Sequence, residues 1–207
     1  MEVNEVELKF EINGTETEIL YQKFIDKYRH DYSGYEISEM YDLNDLLSKN
    51  DARLRLRKTI DLFTNEIVTR VTYKKPLTRK GIKVELEHET TVGNYSKMLQ
   101  ILHSIGFERV SSYEKFRHSF ITDNGTKLEI DIYPYATFLE IEGRKKEIIE
   151  YAEELGFSMG KNITDSCDTI DDKRRKSRGL PSRDDILFEN VEKETIEQRK
   201  LIQNSKK

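Results

Sequence analysis

Arg53-Leu54-Arg55-Leu56-Arg57 places three guanidinium groups on one face of an extended chain and two leucines on the other, because strand side chains alternate sides with period two. The same device recurs along the chain. Glu5, Glu7 and Lys9 alternate with Val6, Leu8 and Phe10; Arg70, Thr72 and Lys74 alternate with Val71 and Tyr73; Lys83, Glu85 and Glu87 alternate with Val84 and Leu86. Further on, Lys115 and Arg117 flank Phe116, Glu129 and Asp131 alternate with Leu128, Ile130 and Ile132, and Glu140 and Glu142 alternate with Leu139 and Ile141. One such strand would simply be solvated on its charged face. Recurrence in nearly every strand, sorted into acid-x-acid and base-x-base pairs, demands a shared destination for the charge. If the apolar faces pack outward against helices, the charged faces point into a common interior. The fold class expected is therefore α+β: a closed or nearly closed antiparallel β-barrel with a charged lumen, flanked by a few α-helices.

Period-two segments run over 4–12, 53–57, 66–75, 82–89, 114–121, 127–133 and 137–142, and helical spacing over 15–30, 93–105 and 145–156. Gly106 and Gly156 follow the second and third helical stretches, where a left-handed cap is expected. Loops near 31–38, 60–66 and 76–81 are expected to shape the lumen mouth, with Tyr32, Tyr35 and Tyr41 in rim or core packing. A length of 207 residues suits one domain with an appendage. The expected division is a barrel domain over 1–170 and a charged C-terminal tail over 171–207, partly helical or disordered. Within that tail Ser182 is a candidate cap for a helix carrying Ile186, Leu187, Val191 and Leu201.

Charged residues and apolar residues each make up 36% of the chain, so the core is lean. A net charge of −4 excludes a uniformly basic, nucleic-acid-coating protein, and any affinity for anions must be focal. No apolar run reaches the roughly 20 residues needed to span a bilayer, and the opening Met1-Glu2-Val3-Asn4-Glu5 carries no secretory pattern. A cytoplasmic location is expected. The single cysteine, Cys167, excludes an internal disulfide and a multi-cysteine zinc site. His88 and His118 fall on the apolar faces of their strands and are expected to be packing or surface histidines.

A charged interior needs compensation, because an unpaired buried ion costs several kcal/mol. Arginines and lysines from several strands offer the donors that hold successive phosphates. Carboxylates at i and i+2 supply the hard oxygen ligands that Mg²⁺ or Mn²⁺ requires. A polyphosphate with its metal ion would neutralise both sets.

These elements, in this order, resemble the CYTH domain of the triphosphate tunnel metalloenzymes, the family of class IV adenylyl cyclases, thiamine triphosphatases, inorganic tripolyphosphatases and related RNA triphosphatases. The residues that carry the resemblance are Glu5-Val6-Glu7-Leu8-Lys9, Leu54-Arg55-Leu56-Arg57, Thr72-Tyr73-Lys74-Lys75-Pro76, the pairs Glu85/Glu87, Lys115/Arg117 and Glu129/Asp131, and Phe138 to Glu142. The resemblance implies that Glu5, Glu7, Asp131, Glu140 and Glu142 hold the divalent metal or orient its waters. It implies that Lys9, Arg55, Arg57, Lys74, Lys115 and Arg117 grip the triphosphate, with Arg53 on the same face. Glu85, Glu87 and Glu129 would hold a second metal, activate water or balance the basic wall.

Water attacking the terminal phosphorus gives hydrolysis; a ribose 3′-hydroxyl attacking the innermost phosphorus gives a cyclic nucleotide and pyrophosphate. The leading expectation is a Mg²⁺- or Mn²⁺-dependent triphosphatase acting on a nucleoside triphosphate, tripolyphosphate or other organic triphosphate. The alternatives are a class IV adenylyl cyclase and a non-catalytic module binding polyphosphate or triphosphorylated RNA. Where cyclase-like members often end in a Ser-Tyr segment, this chain reads Ile163-Thr164-Asp165-Ser166-Cys167-Asp168. The cluster Lys173-Arg174-Arg175-Lys176-Ser177-Arg178 keeps an RNA 5′-triphosphate end open as a partner, and a homodimer is also open. No membrane partner is expected.

Overall fold

A computed structural model describes residues 3–78 and 81–189 of the chain. In chain order the elements are β1 (Val3–Ile12), α1 (Gly14–Lys27), β2 (Arg29–Asp42), β3 (Arg53–Asp61), β4 (Ile67–Thr78), β5 (Lys83–Thr91), α2 (Tyr95–Ser104), β6 (Glu108–Ile121), β7 (Lys127–Ile132), β8 (Thr137–Glu142), α3 (Lys145–Glu154), α4 (Cys167–Ser177) and β9 (Asp185–Ile186). The sheet runs β2-β3-β4-β5-β1-β8-β7-β6, and β6 pairs back onto β2, closing an eight-stranded antiparallel barrel. The short β9 adds in parallel beside β6 at Ser112 and Tyr113, beyond the stretch of β6 that β7 covers.

The outward faces are the apolar ones, as the alternation requires. Leu8 and Phe10 of β1, Leu128 and Ile130 of β7, and Leu139 and Ile141 of β8 pack with Leu20 and Phe24 of α1 and Ile148 and Ala152 of α3. Fully burying a side chain the size of Phe24 or Leu139 contributes about 2–3 kcal/mol. Helix α1 starts at Asn13, whose side chain accepts the Glu16 N–H at 2.9 Å while Glu16 accepts the Asn13 N–H, a reciprocal cap. A second cluster, Tyr41, Leu56 and Leu102 with Met98 and Tyr95, anchors α2 over β2 and β3. Gly106 and Gly156 take the expected left-handed conformation after α2 and α3, with φ of +89° and +84°.

Two expectations need correction. Residues 31–38 are not a loop: they belong to β2, whose Gly34 to Tyr41 pair with β3 and whose Arg29 to Asp42 pair with β6. Polar and aromatic residues mix on both faces of this segment, so its alternation is blurred, and closure of the barrel imposes the strand. The helix expected to begin at Ser182 is likewise absent over 182–189, where Asp185 and Ile186 extend along the open edge of β6. Ile186 and Phe188 are buried, and the Phe188 N–H donates to Glu114 at 2.9 Å.

The boundary expected after residue 170 falls inside α4, whose Ile170 and Asp171 are buried. Arg183 closes this segment by a two-pronged contact with Asp171, at 2.8 and 2.9 Å. Residues 171–189 thus pack on the barrel; Val191, Leu201 and the rest of the tail lie outside the described residues.

Candidate functional site: a charged tunnel

The lumen holds a cavity of about 570 Å³. Lys9, Arg53, Arg55, Arg57, Lys74, Lys115 and Arg117 line it, as do Glu5, Glu7, Glu87, Glu129, Glu140 and Glu142. Strand register brings them together: Lys9 faces Glu140, Arg53 faces Lys74, and Lys74 faces Glu87 across adjacent strands. The two remaining expected residues, Glu85 and Asp131, sit behind the lining. Glu85 accepts both contacts of Arg53 Nη2 at 2.6 Å and the Lys83 ammonium at 2.8 Å. Asp131, fully buried, accepts from Lys115 at 2.7 Å and Arg117 Nε at 2.5 Å. Each carboxylate aims a cation at the lumen.

Opposite charges compensate one another residue by residue. Lys74 sits 2.5 Å from Glu5 and 3.1 Å from Glu87, Lys9 3.0 Å from Glu140, and Lys83 2.9 Å from Glu7. Arg117 meets Glu140 at 2.7 Å and also contacts Glu129. Burial alone would raise Glu5, but the Lys74 and Lys83 ammoniums bring its carboxyl down to about 2. Burial works against Lys9 too, yet Glu140 and Glu7 hold its ammonium well above the usual lysine range.

The carboxylates at one end of the cavity behave differently. Burial raises Glu142, reinforced by Glu5 and only partly countered by Lys127. Burial and Glu5 likewise raise Glu87 despite Lys74, and burial with Glu142 and Asp131 pushes Glu129 up to about 7 despite Arg117. These acids repel one another, and Glu5, Glu87 and Glu142 also line a neighbouring pocket together with Glu89. Carboxylate oxygens are the hard donors that a divalent cation such as Mg²⁺ takes. Among the described residues no three acid, histidine or cysteine side chains are placed to hold a metal ion together, and Glu5, Glu87, Glu129 and Glu142 each stand beside a lysine or arginine.

At the other end the cavity meets Tyr113, Tyr133 and the first turn of α4. Tyr133, Phe138 and Ile170 pack there with Tyr113 and Tyr135. Burial and Asp168 raise the Cys167 thiol to about 11, which suits a packing role. The Tyr135 hydroxyl donates to the Cys167 carbonyl at 2.6 Å and ties α4 to the barrel. The cluster Lys173 to Lys176 is engaged locally, with Lys173 on Asp165, Arg174 on Glu11 and Lys176 on Asp172.

Several site residues escaped the sequence motifs. Glu89 gathers Arg57 at 3.1 Å, Arg70 at 3.4 Å and Arg55 at 3.8 Å, and continues the parity of Glu85 and Glu87. Lys83 and Lys127 line the cavity as well. Glu36 of β2 lies wholly buried against Arg57 and Lys115, and the blurred pattern of that strand hid it. Tyr32 lines the lumen, and His118 packs outside it against Ser33 and Tyr21. Among the described residues, the buried Nε groups of Arg55 and Arg57 have no hydrogen-bond partner.

Comparison with known proteins points the same way. A family model described as CYTH domain matches residues 4–165. A comparison with curated proteins gave no match. Among solved structures, a Pyrococcus horikoshii protein is 25% identical with a TM-score of 0.67, covering 83% of this chain and 99% of its own. A candidate adenylate cyclase from Vibrio parahaemolyticus is 16% identical at a TM-score of 0.69, covering 82% and 98%. An adenylyl cyclase candidate from Hippeastrum, described as having a dominant triphosphatase activity, is 16% identical at 0.59, covering 87% and 97%.

Proposed function

Because the chain belongs to the CYTH domain family, we propose that it is a divalent-metal-dependent enzyme that cleaves a triphosphate by phosphoanhydride hydrolysis inside its barrel. The observation that carries this reading is the sorting of charge in a closed lumen. Cations from β1, β3, β4, β5, β6 and β7 face one cavity, with mutually repelling carboxylates gathered at one end.

In this reading Arg53, Arg55, Arg57, Lys74, Lys115 and Arg117 bind the phosphate oxygens, the guanidiniums as two-pronged donors and the lysines as point charges. Glu5 and Glu142, with Glu87 beside them, would hold the metal ion. When bound, that ion supplies charge stabilisation to the phosphoryl oxygens as the P–O–P bond breaks. Glu7 and Glu140 keep Lys9 and Lys83 in place, and Asp131 and Glu85 orient Lys115, Arg117 and Arg53 from behind. Glu129, buried and held near neutrality, is the carboxylate able to take a proton from an attacking water. The walls exclude bulk water and strengthen every charge contact within.

The test is product analysis. Purified protein with Mg²⁺ or Mn²⁺ is given ATP, GTP, tripolyphosphate, thiamine triphosphate and a 5′-triphosphorylated RNA in turn, with Glu5→Gln plus Glu7→Gln as the blank. Orthophosphate that disappears in the blank is the expected result. Cyclic nucleotide with pyrophosphate would replace the hydrolase by a cyclase, and metal-dependent binding without product would leave a binding module.

A further inference from the structure

Glu36 is a carboxylate sealed behind the phosphate-gripping wall. It stands on β2 opposite Thr59 of β3 and Lys115 of β6, is 0% exposed, and does not line the cavity. Its Oε1 accepts the Tyr32 hydroxyl at 2.8 Å. The Tyr32 ring reaches that position by passing over Gly34, where a Cβ would lie 3.0 Å from the ring and 2.9 Å from Thr59. Its Oε2 makes no hydrogen bond but lies 3.6 Å from Arg57 Nη1 and 3.5 Å from Lys115 Nζ, cations that arrive from the two neighbouring strands. One oxygen is thus pinned by a neutral donor and the other is shared between two phosphate-binding side chains. Burial alone would favour the neutral acid, but Arg57, Lys115, Arg117 and Arg55 hold the carboxyl far below the usual range. Burying an ion costs several kcal/mol, and one hidden from the ligand can act only through its neighbours.

We propose that Glu36 is a positioning residue, a fixed internal anion that sets the spacing of Arg57 and Lys115 and through them the alignment of the triphosphate. This rests on the functional reading above. Lys115 is tied on its far side to Asp131 at 2.7 Å and Arg57 to Glu89 at 3.1 Å, and Glu36 is the anion the two share between them, fixing how closely they approach each other. The same negative charge subtracts from the field that attracts phosphates. Its removal therefore has two opposed effects: anions bind no more weakly, while the reacting phosphorus is held out of line.

Glu36→Gln keeps the shape and the acceptor for Tyr32 but removes the charge; Glu36→Asp keeps the charge and withdraws it by one methylene. The expected result for Glu36→Gln is a fall in kcat of about 100-fold, the scale of a small misplacement of reacting groups, with KM not raised. Glu36→Asp should fall between it and the wild type. Calorimetric titration with tripolyphosphate should give Glu36→Gln an affinity equal to or tighter than the wild type. A folded Glu36→Gln with wild-type kcat, or one that binds tripolyphosphate more weakly, overturns the proposal. So does a lowered melting temperature with unchanged kcat per folded molecule, which marks a purely structural role, and so does a Glu36→Asp no better than Glu36→Gln. If the wild type turns over no triphosphate, the functional reading fails by itself, and the calorimetric comparison decides the role of Glu36.

Discussion

Replacing Arg117 by Met tests whether the lumen is a compensated charge network. Arg117 is buried on β6 and engages three carboxylates from two other strands: Asp131, at 2.5 Å from Nε, Glu140, at 2.7 Å from Nη2, and Glu129. Methionine fills much of the same space but leaves all three acids facing one another. Removing one partner of a buried ion pair costs about 3–5 kcal/mol. For a chain of this size, each kcal/mol moves the melting temperature by about 2–4 °C. The variant should therefore melt about 6–20 °C below the wild type at pH 8. The gap has a definite pH dependence. Without the guanidinium the three acids hold protons more tightly when folded than when unfolded. Stability tied to those protons is present below the unfolded carboxylate value and lost as pH rises through the raised folded values. Thermal unfolding followed by circular dichroism should show the gap narrowing toward pH 5. Adding Glu129→Gln to the variant should restore part of the loss, since Asp131 and Glu140 still face Lys115 and Lys9 while the charge of Glu129 is removed. A single variant melting within a few degrees of the wild type at pH 8, or a gap that does not change with pH, would refute the compensated network.

Three further outcomes follow from the same geometry. Glu5→Gln combined with Glu142→Gln should reduce turnover by at least about 100-fold, matching the effect of chelating the divalent ion, whereas turnover that survives chelation would remove the metal from the site. Glu129 titrates near 7 in the folded chain against an ordinary 4.5, so its contribution to stability is present below about 4.5 and declines as pH rises through 7, by roughly 3 kcal/mol in all. Urea midpoints should therefore fall between pH 5 and pH 8 in the wild type and fall less in Glu129→Gln; parallel curves would show that Glu129 ionises normally. Phe188→Ala removes a ring buried against Phe116 and should cost about 3 kcal/mol, with faster hydrogen exchange at the β9 pairing of Ser112 and Tyr113 while β1 and β8 stay protected. Uniform exchange across the barrel would show that the segment does not open separately.

The barrel could be read from residues such as Arg55, Lys115 and Glu140, because period-two alternation with one charged face is a local signal that survives without tertiary context. The three helices beside it were legible for the same reason: Leu20, Phe24, Ile148 and Leu102 mark their faces by spacing alone. Strand β2 was not legible, since Tyr32, Ser33, Tyr35 and Glu36 are sorted by neighbours on both sides and not by a solvent face. Glu36 was lost with it, whereas Glu89 was within reach of the Glu85-x-Glu87 parity. Nor does the short β9 announce itself. Two residues carry no period, and their pairing depends on where β7 ends. The division of labour among the acids also lies beyond the motif. Glu85 and Asp131 have the same sequence appearance as Glu87 and Glu129, and only the depth of each side chain separates those that face the cavity from those that steer a cation.

The most direct test of the tunnel as a hydrolase is turnover of ATP or tripolyphosphate with Mg²⁺ in water enriched in oxygen-18. Released orthophosphate should carry one labelled oxygen, with the remaining diphosphate unlabelled, because water attacks the terminal phosphorus. Unlabelled pyrophosphate with cyclic nucleotide, or no product from any triphosphate, would contradict it.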